Sequence, residues 1–169
     1  EVMRLFDRDV FFFTTFGGET LSLAASMATI DEIAEKNVPE FLSMQGKKLK
    51  DGYNKISSAL GMDYTQCSGY NCRTIITFDP VKSGCNPLEM KSLVQQEMIK
   101  NGILWSGFHN MCFSHSDEDA EYTLKCYEKV LPLLKKAVDE KKVAEYLKGE
   151  PVEPVFRKTS NFNLKPKTL

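Results

Sequence analysis

Residues 72–90, CRTIITFDPVKSGCNPLEM, predict a strand followed by a helix. Two sets of residues alternate along the strand, Cys72, Thr74, Ile76 and Phe78 on one side and Arg73, Ile75 and Thr77 on the other. This alternation is typical of a strand with one buried face. Asn86, Pro87 and Glu89 supply an N-cap, a first-turn proline and a capping acid. The helix that they open extends to about Asn101.

The chain on either side of this stretch predicts three more strands. Tyr64–Cys67 precedes the first strand and is separated from it by Gly69, Tyr70 and Asn71. Ile103–Ser106 and Met111–Ser114 are interpreted as a hairpin around residues 107–110, Gly-Phe-His-Asn. The strands are therefore expected to be sequential neighbours in an antiparallel sheet.

Three long helices follow from apolar stripes and capping residues. Residues 20–35 are so rich in small apolar side chains that we expect this helix to be buried on much of its circumference. The second helix begins near Pro39, ends at Gly61 and faces inward with Leu42, Leu49, Tyr53, Ile56 and Leu60. The third spans 116–139, with a stripe made of Ala120, Leu124, Tyr127, Leu131, Leu134 and Val138. The element order predicts an α+β fold, in which a small and mainly antiparallel sheet of three to four strands has helices on one face.

Composition excludes several classes of partner. The chain has 169 residues, 42% of them hydrophobic, and a formal charge of −1, which gives no reason to expect nucleic acid or an anionic membrane. No apolar run approaches the ~20 residues that span a bilayer. The five cysteines are scattered and lack the paired spacing of a zinc site, so no metal is expected. Free thiols favour a reducing, cytoplasmic setting, and a chain that opens with Glu1 is expected to be a piece of a longer protein.

The segment Phe11–Gly18, FFFTTFGG, predicts the end of a strand and a glycine-rich turn directly before a helix. Backbone N–H groups converge in such a turn, the helix dipole favours an anion, and a threonine hydroxyl can donate to phosphate. The turn has no lysine and is therefore not a nucleotide P-loop. The residues alone leave two interpretations open, a phosphate-binding turn or a structural turn capped by Thr20.

Other polar side chains offer few sites. Arg73 lies in a strand and could bind a carboxylate with its two-pronged guanidinium, or pair with a neighbouring acid. His109 lies in the predicted hairpin turn, where a lone histidine is usually exposed. The lysines fall on polar helix faces, so none is expected to be a desolvated Schiff-base lysine.

Two segments resemble class III pyridoxal-phosphate (PLP) aminotransferases. Residues 14–33, TTFGGETLSLAASMATIDEI, resemble the family segment T-F-x-G-N-P-L-x-x-A-A, and the nearest likeness is to glutamate-1-semialdehyde aminomutases. Residues 92–124, SLVQQEMIKNGILWSGFHNMCFSHSDEDAEYTL, resemble the C-terminal strands and final helix of those enzymes. The resemblance covers about residues 1–138 and implies the small C-terminal domain of a fold-type I PLP enzyme.

The resemblance assigns a role to the turn. It implies that Thr15 binds the cofactor phosphate of the neighbouring subunit in a homodimer, with Thr14, Phe16 and Gly17 beside it. Residues 1–19 would end the large cofactor domain, residues 20–148 would form a linking helix and the small domain, and residues 149–169 an extended tail. Arg73 and His109 would lie on the side of the substrates, a small-molecule amino donor and a carbonyl acceptor.

Two departures from the family pattern are visible. Its Asn-Pro is Glu19-Thr20 here, and His109 stands near a position that is acidic in the aminomutases, which favours transamination over the 1,2-amino shift. The Schiff-base lysine and the aspartate that pairs with the pyridine nitrogen would lie upstream of Glu1. The parent polypeptide is therefore expected to be a transaminase or aminomutase, and this chain alone to be inactive. The alternative is a stand-alone, non-catalytic α+β binding or regulatory module.

Overall fold

The structure is a computed structural model that describes residues 2–11 and 13–153, without the side chains of Val2 and Asp7. The chain divides into two compact units between Glu40 and Phe41. Of the predicted tail 149–169, residues 154–169 lie outside the described part.

Unit 1 contains a short helical segment and one long helix. A 3-10 turn, Val2–Arg4, continues into α1, Leu5–Arg8, and α2 is Thr20–Glu35, as predicted from the sequence. The strand expected before the glycine-rich turn is absent from the described residues, because 10, 11, 13 and 14 are irregular. A strand needs a neighbouring strand for its backbone hydrogen bonds, and all described strands belong to unit 2.

The expected burial of α2 is wrong for the described chain. None of its residues is buried, and its large apolar side chains are open, with Leu21 76% and Met27 67% exposed. A helix buries its apolar side chains only against a second layer. Unit 1 has one long helix among its described residues and therefore no second layer of its own.

Unit 2 is built on a three-stranded antiparallel sheet of order β1-β2-β3. The strands are β1 (Thr65–Tyr70), β2 (Arg73–Phe78) and β3 (Phe108–Asn110). Thr65 pairs with Phe78 in the first ladder, and Thr74 pairs with His109 in the second. The two strands predicted before residue 79 are thus confirmed, with β1 extending three residues further than expected.

The predicted hairpin of Ile103–Ser106 and Met111–Ser114 is wrong, because β3 forms in the segment expected to be its turn. Ile76 N–H donates to the Gly107 carbonyl at 2.9 Å, and Met111 N–H donates to the Cys72 carbonyl at 3.0 Å. The backbone of 107–111 therefore bonds to β2 instead of folding back on itself. Gly107 has a φ of +99°, which L side chains rarely adopt, and it begins the turn into this strand.

Four helices accompany the sheet. They are α3 (Val38–Ala59), α4 (Pro80–Ser83), α5 (Pro87–Lys100) and α6 (Asp117–Asp139), and a 3-10 turn follows at Val143–Tyr146. The predicted Asn86 cap of α5 is confirmed, and a reciprocal Ser116–Asp119 capping box opens α6, as predicted. The Glu89 side chain makes no such reciprocal bond in α5. The sequence did not predict α4, a single helical turn that the Asp79 side chain caps.

One face of the sheet is buried and the other is open. Thr74 and Ile76 of β2 are buried, whereas Arg73, Ile75 and Thr77 are exposed, as the alternation predicted. The core joins this face to the helices through buried side chains that include Tyr53, Met90, Val94, Met98, Tyr127, Leu131 and Leu134. The α+β fold class is therefore confirmed.

Three general features bear on function. No helix within 2–11 and 13–153 is long and apolar enough to cross a membrane. In the same residues, no group of three or more His, Cys, Asp or Glu side chains could hold a metal ion. All five cysteines are free, Cys67 and Cys126 being buried.

Candidate functional site

The glycine-rich turn of unit 1 presents two threonine hydroxyls to solvent. Thr14 and Thr15 are exposed, and neither side chain has a hydrogen-bond partner among the described residues. A Cβ on Gly17 would lie 1.9 Å from the Thr14 Oγ1, so this position must be glycine while Thr14 keeps its place. The sequence therefore builds a turn in which Thr14 folds over the backbone at Gly17.

The N-terminus of α2 is occupied by the chain itself. The Glu19 carboxylate accepts the Leu21 N–H at 2.8 Å and the Ser22 N–H at 2.7 Å. Hydrogen bonds from Ser22 and from the Leu21 amide lower the pKa of Glu19, which is therefore ionised at neutral pH. Glu19, not Thr20, is the cap of this helix. An anion bound at the turn would be repelled by the Glu19 carboxylate, and it would find the Leu21 and Ser22 amides already hydrogen-bonded.

These contacts decide how well the turn suits a phosphate group. The hydroxyls of Thr14 and Thr15 are donors of the right kind, and both are accessible. The positive end of the α2 dipole is already compensated by Glu19, so it adds little. The turn therefore fits a phosphate through its threonines and loop amides, and the helix contribution that the sequence suggested is largely lost.

Arg73 lies on the open face of the sheet in unit 2. Its guanidinium carbon is 4.9 Å from the centre of the Phe108 ring, a cation–π contact. Its Nη1 donates to the Asn110 Oδ1 at 3.4 Å. Both partners come from β3, so the pairing of Arg73 with Asn110 in the ladder brings the three side chains together. Most of the guanidinium donors stay available for a carboxylate.

His109 lies on the buried face, and 6% of its surface is exposed. Its Nδ1 is 2.8 Å from the Thr74 hydroxyl, and its Nε2 is 2.7 Å from the Tyr127 hydroxyl. The exposed hairpin-turn position expected for this histidine is wrong, because the turn is a strand and the side chain points into the core. Burial lowers the pKa of His109 to about 4, so the ring is neutral at pH 7.

A chain of buried hydrogen bonds continues from His109 to Trp105. The Trp105 Nε1–H donates to the Tyr127 hydroxyl at 2.6 Å, and an indole can only donate. We assign the ring proton of His109 to Nδ1, because Tyr127 can then donate to Nε2 while His109 donates to Thr74. We call these four side chains the polar network (Trp105, Tyr127, His109 and Thr74). With this assignment, each hydrogen bond between two of its members has one donor and one acceptor.

The sheet separates the two residues that the sequence placed near the substrate. His109 pairs with Thr74, whereas Arg73 pairs with Asn110. Neighbouring positions of a strand point to opposite faces. Arg73 and His109 therefore lie on adjacent strands but on opposite sides of the sheet, and they do not form one site.

The polar network was not predicted as a unit. The sequence predicts Tyr127 in the apolar stripe of α6, which its burial confirms, and puts Thr74 on the same side of β2 as Ile76 without deciding that this side is buried. A buried Tyr or Trp usually requires a hydrogen-bond partner. That requirement was the available signal, but the partner could not be chosen without knowing which residues of 103–111 enter the sheet.

Comparison with known proteins gives a likeness in fold. No protein-family model matches the sequence. A solved structure of similar fold is the PLP internal aldimine form of the FumI protein of Sphingopyxis sp. MTA144, with a TM-score of 0.64 and 20% sequence identity. The match covers 85% of this chain and 34% of the FumI chain, so the chain spans about a third of the length of the protein that it resembles.

Proposed function

We propose that this chain is the C-terminal part of a PLP-dependent transaminase or aminomutase, similar to the class III glutamate-1-semialdehyde aminomutases. The fold likeness to FumI carries the proposal, because 85% of the chain corresponds to one third of a structure that holds PLP. The T-T-F-G-G segment at 14–18 supports it independently, since it presents two free threonine hydroxyls.

In the proposed homodimer, Thr15 donates a hydrogen bond to the cofactor phosphate of the neighbouring subunit. Thr14, Phe16 and Gly17 hold the turn, and the Thr14–Gly17 contact fixes its shape. Because Glu19 already caps α2, affinity for the phosphate depends mainly on the hydroxyl and the loop amides. When bound, PLP supplies an electron sink for chemistry at an amino-substituted carbon.

Arg73 and His109 take different roles in this proposal. Arg73 presents guanidinium donors on the open sheet face and can contact a substrate carboxylate directly. His109 is a positioning residue, because its ring holds Tyr127 and Thr74 inside the core. The amino donor and the carbonyl acceptor are small molecules, and the setting is the cytoplasm.

The experiment is to sequence the gene upstream of the Glu1 codon and to express the whole reading frame beside the 169-residue chain. We expect a strand that ends in lysine some tens of residues before Thr15. The whole protein should bind PLP at one lysine that borohydride traps, and should transfer amino groups. The 169-residue chain should do neither, since it lacks that lysine.

Two outcomes would contradict the proposal. A borohydride-trapped lysine within residues 1–169 would place the covalent site in this chain. A whole protein that binds no PLP would favour the stand-alone, non-catalytic α+β module.

A further inference from the structure

A cavity of about 270 Å³ opens in unit 2 between the β3 region and the first turns of α6. Its lining includes Trp105, which is 2% exposed, and Leu49, Met111 and Ala120. The last three residues form a small hydrophobic cluster of their own. The cavity therefore lies where this cluster meets the main core, and its lining combines apolar with polar side chains.

The lining of the cavity carries one acidic side chain. Asp119 is the only Asp, Glu, Lys or Arg side chain among the described residues that line it. The Ser116 N–H donates to the Asp119 Oδ2 at 2.8 Å, and hydrogen bonding to Ser116 lowers the pKa of Asp119, which is therefore ionised at neutral pH. The Lys48 amine of the same region is paired with Asp117 and does not neutralise Asp119.

Two other polar side chains of the lining have hydrogen-bond partners within the chain. The Cys112 N–H donates to the His115 Nδ1 at 3.2 Å. The Thr123 hydroxyl donates to the Asp119 carbonyl at 2.8 Å, which leaves its lone pairs as acceptors. A cationic donor can therefore be accepted in the cavity by a carboxylate and a hydroxyl.

We propose that this cavity binds a small organic ammonium ion, with its apolar body against Trp105 and Met111 and its charged end at Asp119. A lining that combines apolar side chains with a few placed polar groups is typical of small-molecule sites, and the volume suits a ligand of modest size. A carboxylate of the same shape meets the negative charge of Asp119 and is disfavoured. The inference concerns unit 2 alone and does not depend on PLP.

Trp105 makes the site directly observable, because it is the only tryptophan of the chain. Its emission can be followed while n-butylammonium or benzylammonium is added at about pH 8, where an ordinary histidine is neutral. Butanol and butanoate are the neutral and anionic controls of matched shape. We expect saturable binding of the ammonium ions in the millimolar range or tighter, and binding of both controls at least about fivefold weaker.

A pair of variants tests the role of the charge. Asp119→Asn removes the charge but keeps an oxygen that can accept the Ser116 N–H, so the capping box is preserved in part. Glu118→Gln makes the same charge change in the same helical turn and does not line the cavity. We expect Asp119→Asn to weaken ammonium binding about three- to tenfold, and Glu118→Gln to leave it unchanged. Thermal melts followed by circular dichroism show that both variants are folded.

Several results would overturn the proposal. If neither the tryptophan emission nor the heat of titration shows a saturable change, the cavity binds no ammonium ion. Equal binding of butanol and butylammonium means that only apolar burial operates. Asp119→Asn binding like the wild type, or Glu118→Gln being equally weakened, means that Asp119 is not the charge that selects the ligand. If Asp119→Asn does not fold, the selectivity of the wild type for ammonium over butanol decides the question.

Discussion

Helices α2 and α6 are both rich in apolar residues, and the structure places both close to their predicted bounds, yet they differ completely in burial. In α2 no residue is buried. In α6 eight residues are buried, among them Tyr127 and Leu131. The difference lies in the surroundings: α6 packs against a sheet and other helices, while unit 1 supplies no second layer. A helical pattern therefore predicts a helix reliably, but its burial depends on what else the chain provides.

The largest effect should come from matched leucine truncations in the two helices. Leu131→Ala removes a fully buried side chain of α6 and should lower the free energy of unfolding by about 2–5 kcal/mol. Leu21→Ala removes a largely exposed side chain of α2 and should change it by no more than about 0.5 kcal/mol. Urea unfolding followed by circular dichroism measures both. Similar losses for the two variants would show that α2 is covered in solution.

The second effect is a loss of stability of unit 2 in acid. Burial lowers the folded-state pKa of His109 to about 4, while the unfolded chain binds the same proton near 6.5. Between these values the unfolded state holds more protons, so stability falls as the pH drops from about 6.5 to 4. The loss should approach about 3 kcal/mol.

Carboxylates titrate in part of the same pH range, so the comparison is made between variants. His109→Gln should be less stable at neutral pH and should lose the histidine part of the pH dependence. His115→Gln is the control, because that ring is only half-buried. An unchanged pH dependence in His109→Gln would contradict a buried, neutral His109.

The third prediction moves from stability to ligand binding in unit 1. In the proposed PLP-binding homodimer, Thr15→Ala should weaken PLP binding by about 1–3 kcal/mol, the range for losing a hydrogen bond to a charged group. Thr14→Ala should weaken it less, since Thr15 is the residue that matches the family position. Cofactor titration of both variants decides the assignment. Greater damage in Thr14→Ala, or wild-type affinity in Thr15→Ala, would show that the wrong threonine was chosen.

The smallest effects should come from the two helix caps. Ser116→Ala removes the side chain that accepts the Asp119 N–H and should cost about 1 kcal/mol of unfolding free energy. Glu19→Ala removes the cap of α2. This substitution should leave the cooperative unfolding of unit 2 unchanged and should cause only a small loss of the helical circular dichroism signal. Equal destabilisation by both variants would mean that α2 unfolds together with the core.

Sequence alone determined the local structure of this protein. The bounds of α2, the N-caps of α5 and α6 and the alternation along β2 were predicted correctly, because each depends on residues a few positions apart. Asn86 bonds to Leu88, and Ser116 and Asp119 bond to each other, so these interactions are encoded within one helical turn. The inward placement of Thr74 and Ile76 follows from a period of two.

Only the tertiary structure decided which segments meet. Residues 107–110 could form the turn of a hairpin between 103–106 and 111–114, or a strand beside β2, and the choice depends on a partner some 35 residues away in sequence. That choice turned His109 from an exposed turn residue into a buried one and separated it from Arg73. It also placed Trp105 beside Tyr127, 22 positions apart. Burial and pKa arise from such distant contacts, and their energy depends on the assembled core and not on the local pattern.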